Sequence, residues 1–120
     1  MKKILCFGEA LVDLLSNTLD DDSVTQESFI KFAGGAPANV SVAAAKLGGN
    51  AYFSGMLSSD MFGDFLLKSL QKHGVKTDYV CVMSEAKTAL AFVSLDDEGE
   101  STLEFYRDNS ADLRFAYSDF

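Results

Sequence analysis

Ala33-Gly34-Gly35-Ala36-Pro37-Ala38-Asn39-Val40-Ser41-Val42-Ala43-Ala44-Ala45-Lys46-Leu47-Gly48-Gly49 reads as a loop feeding straight into a buried helix. Gly34 and Gly35 supply a backbone without Cβ, free to bend and open to close approach by a ligand. Pro37 suits the first helical turn, where its missing N–H costs nothing and its φ is already set. Val40, Ala44 and Leu47 recur at helical spacing and predict the packed face, with alanines between them for close contact with a sheet. Gly48 supplies a left-handed stop, with Gly49 behind it. A Gly-Gly turn at a helix N-terminus aims free N–H groups and the positive dipole end at one point, which favours an anion or a set of hydroxyl oxygens.

The glycines alone would also suit an ordinary strand-to-helix turn, and the chain contains neither G-x-G-x-x-G nor G-x-x-x-x-G-K-[ST]. Asn39 is the second signal: a polar amide in the first helical turn, where alanine would pack better. Upstream, residues 3–8 carry Ile4, Leu5, Cys6 and Phe7 without alternation, the pattern of a strand buried on both faces of a parallel sheet. Asp13 interrupts the apolar run 10–15, where a carboxylate must be exposed on one side or paired. A place just past a strand end is where open α/β sheets bind their ligands. Residues 29–32 read as a short strand leading to Gly34, and residues 50–56 as a second core strand. Strand, helix and strand then form a βαβ unit.

Ser59 or Asp60 caps a further helix with Phe62, Phe65, Leu66, Ser69 and Leu70 on one face, ending at His73-Gly74. The single histidine suits a helix C-terminus, and no Ser or Cys partner is in sight for catalysis. Residues 79–83 read as another core strand. Residues 88–95 and 101–107 flank the turn signal Asp96-Asp97-Glu98-Gly99-Glu100 and alternate in character, which predicts a two-faced antiparallel hairpin standing off the main sheet.

At 120 residues and 48% hydrophobic, the chain amounts to one domain or part of a larger one. A net charge of −8 argues against nucleic acid or an anionic membrane as partner. No apolar run approaches bilayer length and no signal peptide is expected. Cys6 and Cys81 sit far apart in apolar runs and read as thiols in a reducing compartment. The acidic run Asp20-Asp21-Asp22 reads as a solvated loop, with no metal role.

The phrase Gly-Gly-Ala-Pro-Ala-Asn-Val, the small-residue helix and Leu-Gly-Gly together resemble the N-terminal signature of the ribokinase-like (PfkB) sugar kinases, most of all the fructokinases. Asp60-Met61-Phe62-Gly63 is shared too, although Ser58 stands where family members usually carry glycine. The resemblance implies an α/β fold: a mainly parallel sheet with flanking helices and a small antiparallel β lid, of which residues 1–120 are the N-terminal portion. The lid segments fall at about 16–32 and 88–108. It implies a sugar site made by Asp13, Gly34, Gly35 and Asn39, with Arg107 at the end of the second lid strand. Read from the residues alone, Arg107 would instead pair with Asp108 or Asp112. The Phe105-Tyr106-Arg107 ending is also similar to that of 2-keto-3-deoxygluconate kinases, where the arginine belongs to the carboxylate site. Ala91 and the ending Ser110-Ala111-Asp112 lean to fructokinases and a neutral ketohexose.

The activity implied is phosphoryl transfer from ATP, with Mg²⁺, to a sugar hydroxyl, in the cytoplasm, with a homodimer through the lid sheet. In the family the catalytic base and phosphate-binding amides come from a downstream Gly-Ala-Gly-Asp, and these 120 residues contain no Gly-x-Gly-Asp. No catalytic residue is therefore assigned, and the 120 residues alone are expected to be inactive. The alternatives are a non-catalytic remnant that binds sugar weakly or serves only in association, and a 2-keto-3-deoxygluconate kinase. A dinucleotide-dependent oxidoreductase is disfavoured by the absent G-x-G-x-x-G.

Overall fold

A computed structural model describes residues 1–17, 28–95 and 100–116. These form two sheets and two helices. β1 (Lys3–Phe7), β4 (Asn50–Ser58) and β5 (Lys76–Met83) make a parallel sheet in the order β1-β4-β5. β2 (Leu11–Asn17), β3 (Ser28–Gly34), β6 (Leu90–Leu95) and β7 (Ser101–Tyr106) make a second sheet in the order β3-β2-β6-β7. α1 (Ala36–Lys46) returns the chain to β4, and α2 (Met61–Lys72) links β4 to β5 in a parallel βαβ unit; the strand before α1, β3, belongs to the other sheet, and β4 instead pairs parallel with β1. A 3₁₀ turn, Ala111–Leu113, follows the second sheet.

The central strand β4 is buried along almost its whole length. Phe53 and Leu57 from it pack with Ala38 of α1, Leu66 and Leu70 of α2, Val75, and Ala10 and Val12 at the root of the second sheet. That core ties the two sheets together. α2 is capped by Asp60, whose side chain accepts from the Gly63 N–H at 2.8 Å. Gly63 is required there, because a Cβ would fall 1.7 Å from the Ser58 carbonyl oxygen. His73 closes α2 as expected, its Nδ1–H donating to the Ser69 carbonyl at 2.7 Å.

Two further expectations are corrected. The packed face of α1 is not Val40, Ala44 and Leu47: Val40 is 57% and Leu47 89% exposed. Pro37 seats against Gly8, and the stripe that turns inward is Ala38 and Ser41, with Val42 and Ala45 against the core. Ser41 can be buried because its hydroxyl donates back to the Ala38 carbonyl at 2.6 Å. β1, expected to be buried on both faces, is largely exposed, and β5, whose residues 79–83 are expected as a core strand, is at most half-buried, since both are edge strands among the described residues. Ile4 of β1 lies near Gly49, just after α1, while Leu5 borders an open groove with Tyr52, Ser54 and Tyr79.

The second sheet consists of two antiparallel hairpins, β2–β3 and β6–β7, joined through a parallel β2–β6 pairing. The run 10–15 thus enters a strand of this sheet and is not a loop beyond β1. Alternation puts Leu14, Lys31, Phe92 and Glu104 on one face, where Phe29, Phe92 and Tyr106 stack in a row with ring centroids 5.5 and 5.0 Å apart. The other face carries Leu11, Asp13 and Ala91 near the root and the exposed Ile30, Phe32, Leu103 and Phe105 further out. The acidic run Asp20-Asp21-Asp22 and the turn 96–99 lie outside the described residues.

Candidate functional site

Asp13 is the third residue of β2, opposite Phe32, and therefore points to the same face as Gly34. The two are in direct contact: a Cβ on Gly34 would lie 2.3 Å from Asp13 Oδ2. Only glycine leaves room for that carboxylate. No donor among the described residues reaches it, and burial alone pushes the Asp13 carboxyl above its ordinary value.

Gly35 stands at the N-cap of α1 with φ 97°, a conformation that glycine adopts without strain. A Cβ here would meet the Glu9 carbonyl oxygen at 2.7 Å and the Ala10 Cα at 3.0 Å, so the Gly8-Glu9-Ala10 turn is pressed against Gly35. α1 begins without a side-chain cap and without an acidic residue in its first turn. Its first N–H groups and positive dipole end are left for solvent or a ligand. Asn39 is exposed in that first turn, and its own N–H donates to the Gly35 carbonyl at 2.9 Å. Asp13, Gly34 and Gly35 are thus brought together where the second sheet meets the helix, and Asn39 stands one turn along.

Arg107 reaches this place indirectly. Its Nη2 lies 2.5 Å from Asp112 Oδ2 and 3.2 Å from Glu9 Oε2, and its Nε donates to Asp112 Oδ2 at 3.2 Å. The Asp112 side chain is only 1% exposed, and it also accepts from the Ser110 hydroxyl. The bonds and charge of Asp112, with Glu9 beside it, raise the Arg107 pKa against the opposing pull of burial. Pairing with Asp112 is the arrangement that the residues suggest by themselves; Glu9, 98 positions away, carries no sequence signal for it.

Asp60 does more than cap a helix. Besides Gly63, it accepts from the Thr88 N–H at 2.9 Å and the Thr88 hydroxyl at 2.6 Å. Burial pushes the Asp60 carboxyl up, but the bonds from Thr88, Gly63 and Ser58 outweigh it and hold the group below its ordinary value. The next residue, Ala89, accepts from the Val12 N–H at 3.1 Å, and Lys87 accepts from the Ala111 N–H at 2.8 Å. Asp60 therefore pins the root of the second sheet where β2 and β6 leave the body.

A parallel α/β body with a four-stranded sheet standing over a glycine turn, a helix N-terminus and a carboxylate is part of the ribokinase-like fold. The comparisons agree in detail. The profile described as "pfkB family carbohydrate kinase" matches residues 1–119, and the chain belongs to that family. A probable fructokinase-5 of Arabidopsis thaliana is 44% identical over 110 residues, 92% of this chain and 34% of that protein. The crystal structure of a fructokinase with bound ATP from Xylella fastidiosa superposes with a TM-score of 0.92 at 54% identity, covering 99% of this chain and 37% of that one. A 2-dehydro-3-deoxygluconokinase from Thermotoga maritima superposes at 0.86 and 30% identity, covering 100% and 36%. The chain spans about a third of the length of the curated relatives it matches. Among the described residues no helix is long and apolar enough to cross a membrane, and no three His, Cys, Asp or Glu converge to hold a metal ion.

Proposed function

We propose that these residues form the sugar-binding part of an ATP-dependent carbohydrate kinase whose acceptor is fructose. The observation that carries the reading is the Asp13 carboxylate lying against Gly34 at the uncapped start of α1, under the second sheet. Asp13 accepts hydrogen bonds from sugar hydroxyls and orients them. The open N–H groups at the Gly34-Gly35 turn and the Asn39 amide supply complementary donors and a second acceptor. The four-stranded sheet acts as a lid that keeps water from the transferred group, and Arg107 borders the site through Glu9. ATP, with Mg²⁺, supplies the phosphoryl group in the cytoplasm. The base that deprotonates the hydroxyl comes from outside these 120 residues, since they hold no Gly-x-Gly-Asp. The exposed Phe29 and Tyr106, on the lid face opposite Asp13, suit a homodimer contact.

A chimaera tests the reading: residues 1–120 replace the matching third of the Xylella fastidiosa fructokinase. The chimaera phosphorylates fructose with ATP and Mg²⁺, and the 120 residues alone do not. A folded chimaera without turnover overturns the kinase reading. Turnover by the 120 residues alone, lost on Asp13→Ala, overturns the assignment of the base to another segment.

A further inference from the structure

The trio Glu9–Arg107–Asp112 contains one cation and two carboxylates, so it carries one net negative charge. Both Arg107–carboxylate distances are within ion-pair range, and Asp112 is almost wholly out of solvent. Its two oxygens are engaged by Arg107 and by the Ser110 hydroxyl. The guanidinium is thus held in place with its charge more than balanced. The trio is not remote from the site: the Glu9 backbone lies against Gly35, whose neighbour Gly34 touches the Asp13 carboxylate. A sugar held at Asp13 lies beside a glycine turn that packs on the Glu9 backbone, and the negatively charged trio is joined to that turn through Glu9. A polyol with neutral hydroxyls suffers nothing from this field. A sugar acid brings a third negative charge to a partly buried place, where like charges are weakly screened.

We infer that Glu9 and Asp112 are specificity-determining residues: by over-neutralising Arg107 they set the site to accept neutral sugars and to reject sugar acids. The inference rests on the sugar site proposed above and names the charge logic of its selectivity. Arg107 is in this account a positioned cation withheld from substrate. Removing one carboxylate turns the trio neutral, and removing the arginine makes it doubly negative. The two kinds of variant must therefore move selectivity in opposite directions, which a merely structural role for the trio would not do.

The test measures dissociation constants of the full chain for D-fructose and for 2-keto-3-deoxygluconate by ligand-observed NMR, which reads weak binding, at low and high salt. The native chain prefers fructose. Glu9→Gln and Asp112→Asn each shift the ratio towards the acid by about tenfold at low salt, and the shift shrinks at high salt. Arg107→Gln shifts it further towards fructose. Glu9→Gln is the gentler variant, since Glu9 is partly exposed and makes one charged contact, so it keeps the test open if Asp112→Asn fails to fold. A ratio unchanged within twofold in folded Glu9→Gln, or moved the same way by all three variants, overturns the filter while leaving the kinase reading intact. A native chain that binds neither sugar overturns the sugar site, and the filter with it.

Discussion

Replacing Asp60 by alanine removes three hydrogen bonds at once, and their separate worth can be estimated. Loss of the N-cap bond to Gly63 costs about 1 kcal/mol. The two bonds from Thr88 go to an ionised acceptor, and truncation leaves the N–H and hydroxyl of a buried residue without partners, at about 1–3 kcal/mol each. The three share one carboxylate, so the sum is not additive, and about 3 kcal/mol is expected. Urea unfolding of the full chain measures it as a lower midpoint at an unchanged slope. Thr88→Val keeps the shape, loses the hydroxyl bond, and should cost about 1 kcal/mol; in the double variant most of that cost should vanish. The pH dependence has a fixed sign. The Asp60 carboxyl is held below its ordinary value, so its contribution is complete above the unfolded pKa of about 3.9 and is lost as pH falls through the lower folded one. The Asp60→Ala penalty should therefore shrink in acid. A loss below 1 kcal/mol at neutral pH, or additive costs in the double variant, would refute the idea that this carboxylate joins α2 to the root of the lid.

Gly34→Ala places a methyl group 2.3 Å from Asp13 Oδ2 and must displace the carboxylate. Calorimetry with fructose should show affinity reduced by about tenfold or more, with the far-ultraviolet circular dichroism retained. Phe29→Glu and Tyr106→Glu put charges on the face of the lid sheet opposite Asp13, where both rings are exposed. If the proposed homodimer forms through this face, sedimentation should show it replaced by monomer.

Local pattern made much of this molecule legible before its structure. The Gly-Gly-Ala-Pro start of α1, the Asp60 cap and the alternating hairpin at residues 88–107 depend on neighbours in sequence, and the chain forms them as read. The run 10–15 was harder: a short apolar segment fits a strand, a helix start or a buried loop, and only its pairing with β3 and β6 decides. Helical spacing in α1 admits several stripes among alanines and valines, and the seat of Pro37 on Gly8 selects one. Asp13 stood out as a carboxylate in apolar surroundings, yet its contact with Gly34 is a cross-strand event. The Glu9–Arg107 and Asp60–Thr88 ties join residues 98 and 28 positions apart, a separation at which charge and hydrogen-bonding partners cannot be chosen from one sequence.

The most direct test is a fructose titration of the native protein and of Asp13→Ala under identical conditions, followed by calorimetry. Loss of a hydrogen bond to an ionised acceptor is worth about 1.5–3 kcal/mol, so the variant should bind fructose about 10- to 150-fold more weakly while unfolding at nearly the native urea midpoint. Equal affinity in the two proteins would show that the sugar does not lie on the Asp13–Gly34 face.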